Sequence, residues 1–78
     1  MPSVPKSYVS IDMAADGRTI LDTFTAPHDT AASRRVLFAA EGVAVSLWRD
    51  AQLIGRWRRD GHGYRPIRGE AQAPPARP

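Results

Sequence analysis

The chain has 78 residues and a mass of 8.6 kDa, with no cysteine, six glycines and seven prolines. This length supports one small domain, which excludes a large enzyme and leaves little room for an enclosed substrate cavity. The lack of cysteine excludes a disulfide framework, a cysteine-ligated zinc or iron–sulfur site and a thiol nucleophile. Because 42% of the residues are hydrophobic and 24% are charged, we expect a folded globular core.

The basic residues are unevenly distributed along the chain. The formal net charge is +3, the sequence pI is about 10.2, and arginine supplies ten of the eleven basic residues. Residues 1–47 carry four basic and five acidic side chains, whereas residues 48–68 carry six arginines and two aspartates. A basic C-terminal third favours a polyanionic or acidic partner. Enrichment in arginine, alanine and proline through coding bias is the alternative interpretation.

The two ends of the chain lack the large apolar side chains that a core needs. We predict a flexible segment at residues 1–6, one folded domain at residues 7–68 and a disordered alanine- and proline-rich tail at residues 69–78. The longest apolar run, residues 36–40, is only five residues long, and residues 1–6 do not resemble a signal peptide. We therefore expect a cytoplasmic protein with no membrane association.

The first predicted hairpin starts at Ser7. Polar and apolar residues alternate over residues 7–13, and the apolar side of this half-buried strand contains Val9, Ile11 and Met13. Asp16 and Gly17 suit the central positions of a type I′ turn, and residues 19–25 are typical of a strand. The register that follows pairs Met13 with Ile20, Ile11 with Asp22 and Val9 with Phe24. Asp22 is then a polar residue on the apolar face, either at a solvated margin or in a site.

A single helix is predicted after this hairpin. Residues 27–30 are typical of a helix entrance, where Asp29 would cap free backbone N–H groups. The helix is expected to continue to about Glu41, and Gly42 would supply the left-handed residue that ends it. Its inward stripe consists of small side chains, namely Ala32, Val36, Ala39 and Ala40.

A second hairpin is predicted from Val43 onward, with a turn at residues 50–52. Its core-facing residues are predicted to be Val43, Val45, Leu47, Leu53, Gly55 and Trp57. Its outward residues are predicted to be Ala44, Ser46, Trp48, Ile54, Arg56 and Arg58. Residues 64–67 favour a short edge strand limited by Pro66. The fold class is therefore α+β, an antiparallel sheet in ββαββ order with a short fifth strand.

The second hairpin is also the strongest functional candidate, because tryptophan and arginine residues alternate on it. Arginine holds phosphates with release of counterions, and an exposed tryptophan stacks on bases. The predicted nucleic-acid-binding residues are Trp48, Arg49, Arg56, Arg58, Arg59, Arg65 and Arg68. Arg56, Arg58 and Arg59 would hold phosphate and Trp48 would stack. The alternative is structural, with both tryptophans packed and the arginines keeping an exposed face soluble.

The outer surface of the predicted helix is a second candidate. At about 100° per residue, Phe38 projects away from the inward stripe, and an exposed aromatic side chain often marks a protein contact. The predicted protein-interface residues are Ala31, Arg34, Leu37 and Phe38. A rotated helix, coverage of Phe38 by a terminal segment, or a single tolerated exposed aromatic residue would each explain the pattern otherwise.

The sequence gives little support for catalysis. His28 next to Asp29 is better explained as a helix entrance than as an acid–base pair, and Asp60 with His62 lacks further ligands for a metal site. No phosphate-binding loop, dinucleotide-binding pattern or serine nucleophile motif is present. We expect no enzyme, metal, cofactor or small-molecule substrate.

These observations favour a small binding module. The first hypothesis is binding of nucleic acid, or of another polyanion such as an acidic protein, through the second hairpin. The alternative is a protein-interaction module or homodimer that uses the outer helix face and a strand edge, since self-association stabilises small domains.

Overall fold

The computed structural model describes residues 4–67, which form one α+β domain. Its elements in chain order are β1 (Lys6–Met13), β2 (Thr19–Ala26), α1 (Asp29–Ala39), β3 (Ala44–Arg49), β4 (Gln52–Asp60) and β5 (Gly63–Pro66). The predicted ββαββ order with a short fifth strand is confirmed. β1 begins at Lys6, inside the segment predicted to be flexible. The predictions for residues 1–3, for Arg68 and for the tail at residues 69–78 lie outside the described residues.

The five strands form one antiparallel sheet in the order β2-β1-β3-β4-β5. The helix α1 connects β2 to β3, which lie on either side of β1, and it packs against both. The buried core between α1 and the sheet consists of Tyr8, Phe24, Ala26, Ala32, Val36, Val45 and Leu47. We call the opposite side of the sheet, which no helix of residues 4–67 covers, the open face. Within residues 4–67, the 11-residue helix α1 is too short to span a bilayer.

The buried side of β1 is the opposite of the one predicted. Tyr8 and Ser10 are 1% and 8% exposed, whereas Val9 and Ile11 are only half-buried on the open face. The Tyr8 ring stacks on Phe24 at 5.7 Å between centroids, and its hydroxyl donates a hydrogen bond of 2.6 Å to Asp29 at the start of α1. Burial of Tyr8 is favoured over burial of Val9 and Ile11 because its ring buries a large apolar area while its hydroxyl forms a hydrogen bond with the helix.

The first hairpin also has a different turn from the one predicted. Gly17 has a φ of 92° and donates to the Ala14 carbonyl, while Asp16, without a positive φ, accepts a hydrogen bond from the Arg18 N–H. Only one left-handed residue is present, so the loop is a type I turn followed by glycine rather than a type I′ turn. The observed register pairs Met13 with Thr19, Ile11 with Leu21, Ser10 with Asp22 and Tyr8 with Phe24. The predicted register was therefore wrong by one residue, and Asp22 lies exposed opposite Ser10.

The helix begins with His28 as its N-cap, because the ring Nδ1 accepts a hydrogen bond of 3.1 Å from the Ala31 N–H. Asp29, predicted to be the cap, is the first helical residue, and its carboxylate instead accepts hydrogen bonds from Tyr8 and Arg49. The negative charge still lies at the positive end of the helix dipole. Of the predicted inward stripe, Ala32 and Val36 are buried, Ala40 is half-buried and Ala39 is exposed.

The helix ends at Ala39, two residues earlier than predicted, and Gly42 does not have a left-handed conformation. The reason for glycine at position 42 is space, since a Cβ there would overlap the Met13 carbonyl and the Asp12 carboxylate. That carboxylate accepts hydrogen bonds from the N–H groups of Glu41 and Gly42 at 3.0 and 2.9 Å. Asp12 thus attaches the chain after α1 to the end of β1.

The second hairpin follows the predicted alternation except near its turn. Asp50, with a φ of 55°, and Ala51 form the loop between β3 and β4. A register shift at Leu47/Trp48 places Leu53 opposite Trp48 on the open face, and Ile54 packs against the core. Both residues therefore lie on the faces opposite to the predicted ones, because a β-bulge inserts one residue into the strand. The predicted core side of Gly55 and Trp57 is confirmed, and a Cβ on Gly55 would lie 2.5 Å from Cη2 of the Trp57 ring.

Candidate polyanion-binding surface

Three arginines lie on the open face at the β4–β5 side of the sheet. Arg58 on β4 is the direct cross-strand partner of Arg65 on β5, and Arg56 precedes Arg58 by two residues on the same face. Like charges directly opposite each other destabilise a sheet. The arrangement therefore gives no benefit to folding, which makes this surface a candidate for binding an anion.

The neighbourhood of these arginines contains little negative charge. Arg65 forms an exposed ion pair of 2.7 Å with Asp60, the one acidic side chain that the described strands place on the open face. Within residues 4–67, neither Arg56 nor Arg58 takes part in a side-chain hydrogen bond or ion pair. Arg58 is exposed and borders an open depression of about 450 Å³, which is lined by Arg58, Arg59, Asp60, Arg65, Pro66 and Ile67. Guanidinium groups are therefore accessible from solvent here.

Trp48 does not form part of this accessible surface. It faces the open side as predicted, but it is only 4% exposed, with Val9 of β1 and Leu53 of β4 as its cross-strand partners. The predicted stacking of a base on Trp48 is therefore not supported by this geometry, because the indole ring is buried. Along β4, sequence reasoning could not foresee the bulge that places Leu53 beside Trp48.

Arg49 belongs to a different group of side chains, on the helix-covered side. Its guanidinium donates to Asp29 at 2.8 Å and to Gln52 at 2.9 Å, and its side chain is 25% exposed. It therefore holds the start of α1 against the second hairpin, and its inclusion in a nucleic-acid surface is not supported by this geometry.

The Asp29 carboxylate also accepts a hydrogen bond from Tyr8, and this contact shifts the pKa of both side chains. Burial and donation to Asp29 raise the pKa of the Tyr8 hydroxyl above its ordinary value of 10.0. The hydrogen bond from Tyr8 holds the pKa of Asp29 below 3.8, with a further contribution from the charge of Arg49, although burial opposes this shift. Sequence reasoning missed the Tyr8–Asp29 pair because the partners are 21 positions apart.

Arg59 also lies on the helix-covered side, although it directly follows Arg58. Its guanidinium donates to the carbonyls of Glu41 and Gly42, both at 3.1 Å, and to the Tyr64 hydroxyl at 3.0 Å. Its guanidinium carbon also lies 5.0 Å from the centroid of the Tyr64 ring, within range of a cation–π interaction. Arg59 thus attaches the segment that follows α1 to β4 and β5 by three hydrogen bonds.

The structure therefore divides the predicted nucleic-acid-binding residues. It brings together Arg56, Arg58 and Arg65 on the open face. Trp48 lies on the same face but is buried, Arg49 and Arg59 lie on the helix-covered side, and Arg68 lies outside the described residues. The direct pairing of Arg58 with Arg65 was available from sequence, since a two-residue turn at Gly61 and His62 imposes it.

The predicted protein-interface residues are likewise divided. Phe38 is 93% exposed and Arg34 is exposed on the outer surface of α1, as predicted. Ala31 and Leu37, in contrast, are half-buried and pack against the core. A contact surface on this helix would therefore be centred on Phe38 and Arg34.

Histidine and carboxylate residues do not converge in the described part of the chain. No group of three or more potential metal ligands occurs within residues 4–67. The His28 ring is engaged in capping α1, and His62 lies exposed in the turn between β4 and β5.

Comparison of this chain with protein-family models, with curated proteins and with solved structures found no match. The function must therefore be inferred from the geometry of the chain itself.

Proposed function

We propose that this domain is a binding module that holds nucleic acid by its phosphates on the arginine-bearing half of the open face. The observation that supports this most is the cross-strand Arg58–Arg65 pair, with Arg56 on the same face. Neighbouring strands lie about 5 Å apart and alternate residues of one strand about 7 Å apart, so the three guanidinium groups can contact one phosphate backbone together. Arginine suits this role because its planar donors match phosphate oxygens.

The proposed contact is to the backbone and not to the bases. The one aromatic residue on the described part of the open face is Trp48, which is buried. Without an exposed aromatic ring, stacking cannot supply affinity for single strands, and counterion release becomes the main source of binding free energy. The affinities for duplex and single-stranded ligands should therefore differ mainly because the two ligands differ in charge density.

The test is titration of a fluorescently labelled short duplex by anisotropy at several salt concentrations. Arg58→Gln and Arg65→Gln should each weaken binding several-fold and reduce the slope of log K against log salt by about 0.9. Arg34→Gln is the matched control, because it removes the same charge from the exposed helix surface. Binding that is insensitive to salt, or an Arg58→Gln/Arg65→Gln variant with wild-type affinity, would contradict the proposal.

The exposed Phe38 supports a second candidate function, the docking of a protein partner on the outer face of α1. Its 93% exposure leaves a large apolar side chain in water, and Arg34 lies one helical turn before it. An acidic partner with an apolar pocket would match both residues. Phe38→Ser should abolish such binding without lowering the unfolding midpoint, and a partner that binds this variant equally well would contradict the candidate.

A further inference from the structure

β2 is an edge strand of the sheet, and its outer edge has no paired strand within residues 4–67. Within residues 4–67, β2 pairs with β1 alone, and its first five residues, 19–23, are all exposed. Ile20 and Leu21, which point to opposite faces, are 69% and 51% exposed. A long edge strand with exposed apolar side chains is suited to pair with another strand.

The register of the first hairpin shows which backbone groups of this edge are available. The Ala14 N–H donates to the Arg18 carbonyl, so hydrogen-bonded and non-hydrogen-bonded pairs alternate from this point along β1 and β2. Thr19, Leu21 and Thr23 then direct their N–H and carbonyl groups away from β1. These are the groups that a neighbouring strand would use.

A second copy of the chain can pair with these groups in several antiparallel registers, and the side-chain charges favour one of them. With Ile20 opposite Ile20 of the second copy on the two-fold axis, Leu21 and Thr19 exchange hydrogen bonds across the axis. The same register places Arg18 opposite Asp22 of the second copy, twice by symmetry. A register centred on Asp22 would place two carboxylates opposite each other, and one centred on Leu21 would place Ile20 opposite Asp22.

We propose that two copies of this chain associate by antiparallel pairing of their β2 edges, in the register centred on Ile20. Arg18 is free to exchange partners, because its present ion pair with Asp16 is between side chains that are 86% and 55% exposed. About five residues from each copy contribute, so the interface is small and the dimer is weak and concentration-dependent. The association does not involve the arginines of the open face.

The experiment is sedimentation equilibrium of the full chain from micromolar to millimolar concentration. The apparent mass of the wild type should rise toward that of a dimer. Arg18→Asp and Asp22→Arg should each raise the dissociation constant at least about tenfold, because each places like charges opposite each other. The double variant Arg18→Asp/Asp22→Arg should restore association by reversing both charges. Arg34→Asp, on the helix, is the matched control and should associate like the wild type.

Amide hydrogen exchange provides a second measurement that does not depend on a variant. Protection of the Thr19 and Leu21 amides should increase with protein concentration, whereas the Ile20 and Asp22 amides, which face β1, should not change. A wild type that remains monomeric at millimolar concentration would overturn the proposal. So would a double variant that fails to regain association, which would show that any dimer uses another surface or another register.

Discussion

On the helix-covered side of the sheet, Arg49 donates to Asp29 at the start of α1, and Arg59 donates to two carbonyls of the segment that follows α1. On the open side, Arg58 lies opposite Arg65, and Arg56 and Arg58 have no side-chain partner within residues 4–67. The same residue type is therefore hydrogen-bonded within the fold on one face, whereas on the other face Arg56 and Arg58 are not. The difference follows from strand alternation, which assigns neighbouring arginines to opposite faces.

A count of basic residues overestimates the charge that is available for binding. Six arginines in residues 48–68 indicate a polyanion partner when they are only counted. Two of them are committed to the fold, so the charge available for binding is smaller and lies in a narrower region. A test of function must therefore separate the two groups, first by effects on stability and then by effects on binding.

The greatest loss of stability is expected where the segment after α1 is attached to β1. Gly42→Ala introduces a Cβ that overlaps the Met13 carbonyl and the Asp12 carboxylate, and should lower the free energy of unfolding by about 3 kcal/mol. Gly63→Ala is the control, because no atom lies within 4 Å of its added Cβ and its φ is not positive. Its unfolding free energy should change by less than about 0.5 kcal/mol in urea denaturation. Equal stability of the two variants would contradict the close approach at Gly42.

The Tyr8–Asp29 pair should make stability depend on pH at both extremes. Because the pKa of Asp29 is lowered by folding, its stabilising contribution is present above 3.8 and is lost as the pH falls through the folded-state value. Because the pKa of Tyr8 is raised, its contribution is present below 10.0 and is lost as the pH rises above this value. Urea midpoints measured between neutral pH and about pH 3 should fall less for Tyr8→Phe than for the wild type. An identical fall would show that the pair does not shift the titration of Asp29.

Arg58 and Arg59 are adjacent in sequence but lie on opposite faces of the sheet, so a substitution at each separates effects on binding from effects on stability. Arg59→Ala should lower the free energy of unfolding by about 1 kcal/mol, because it removes exposed hydrogen bonds to Glu41, Gly42 and Tyr64. Arg58→Ala should leave stability unchanged or raise it slightly, because it removes the repulsion from Arg65, and it should weaken the binding of a duplex. Thermal unfolding and anisotropy on the same two variants measure both effects. If instead Arg58→Ala lowered stability and Arg59→Ala weakened binding, the proposed roles of the two arginines would be contradicted.

Tryptophan fluorescence should change very little when nucleic acid binds. Trp48 is buried, and Trp57 lies half-buried on the helix-covered side with its ring over Gly55. Addition of a saturating single strand should therefore leave the emission intensity and wavelength nearly unchanged. Strong quenching that persists in Trp57→Phe would indicate that a base reaches Trp48, in the predicted stacking contact.

The parts of the fold that local sequence determines were predictable. Alternation over residues 7–13 and 43–49, the glycine-containing turns and the helix entrance at residues 27–30 are each encoded within a few residues, and their order gave the ββαββ arrangement. The first register was wrong because Asp16-Gly17 suits both a two-residue and a three-residue loop, and local propensity does not choose between them.

The features that depend on distant residues were not predictable in this way. The burial of Trp48 depends on Val9 and on a bulge in β4, and the choice of the buried face of β1 depends on a hydroxyl that reaches Asp29. The same applies to Arg49, since its partner Asp29 is 20 positions away. Alternation correctly placed Arg56 and Arg58 on one face, but which arginines were already engaged required the three-dimensional arrangement.

The most direct test of the proposed function is a map of amide chemical-shift changes in labelled protein on addition of a short duplex at two salt concentrations. We predict changes confined to β4 and β5 around Arg56, Arg58 and Arg65, which decrease at the higher salt concentration. The amides near Phe38 on α1 should not shift. An absence of shifts with duplex and with single strand, or shifts centred on α1, would contradict the assignment of nucleic-acid binding to the open face.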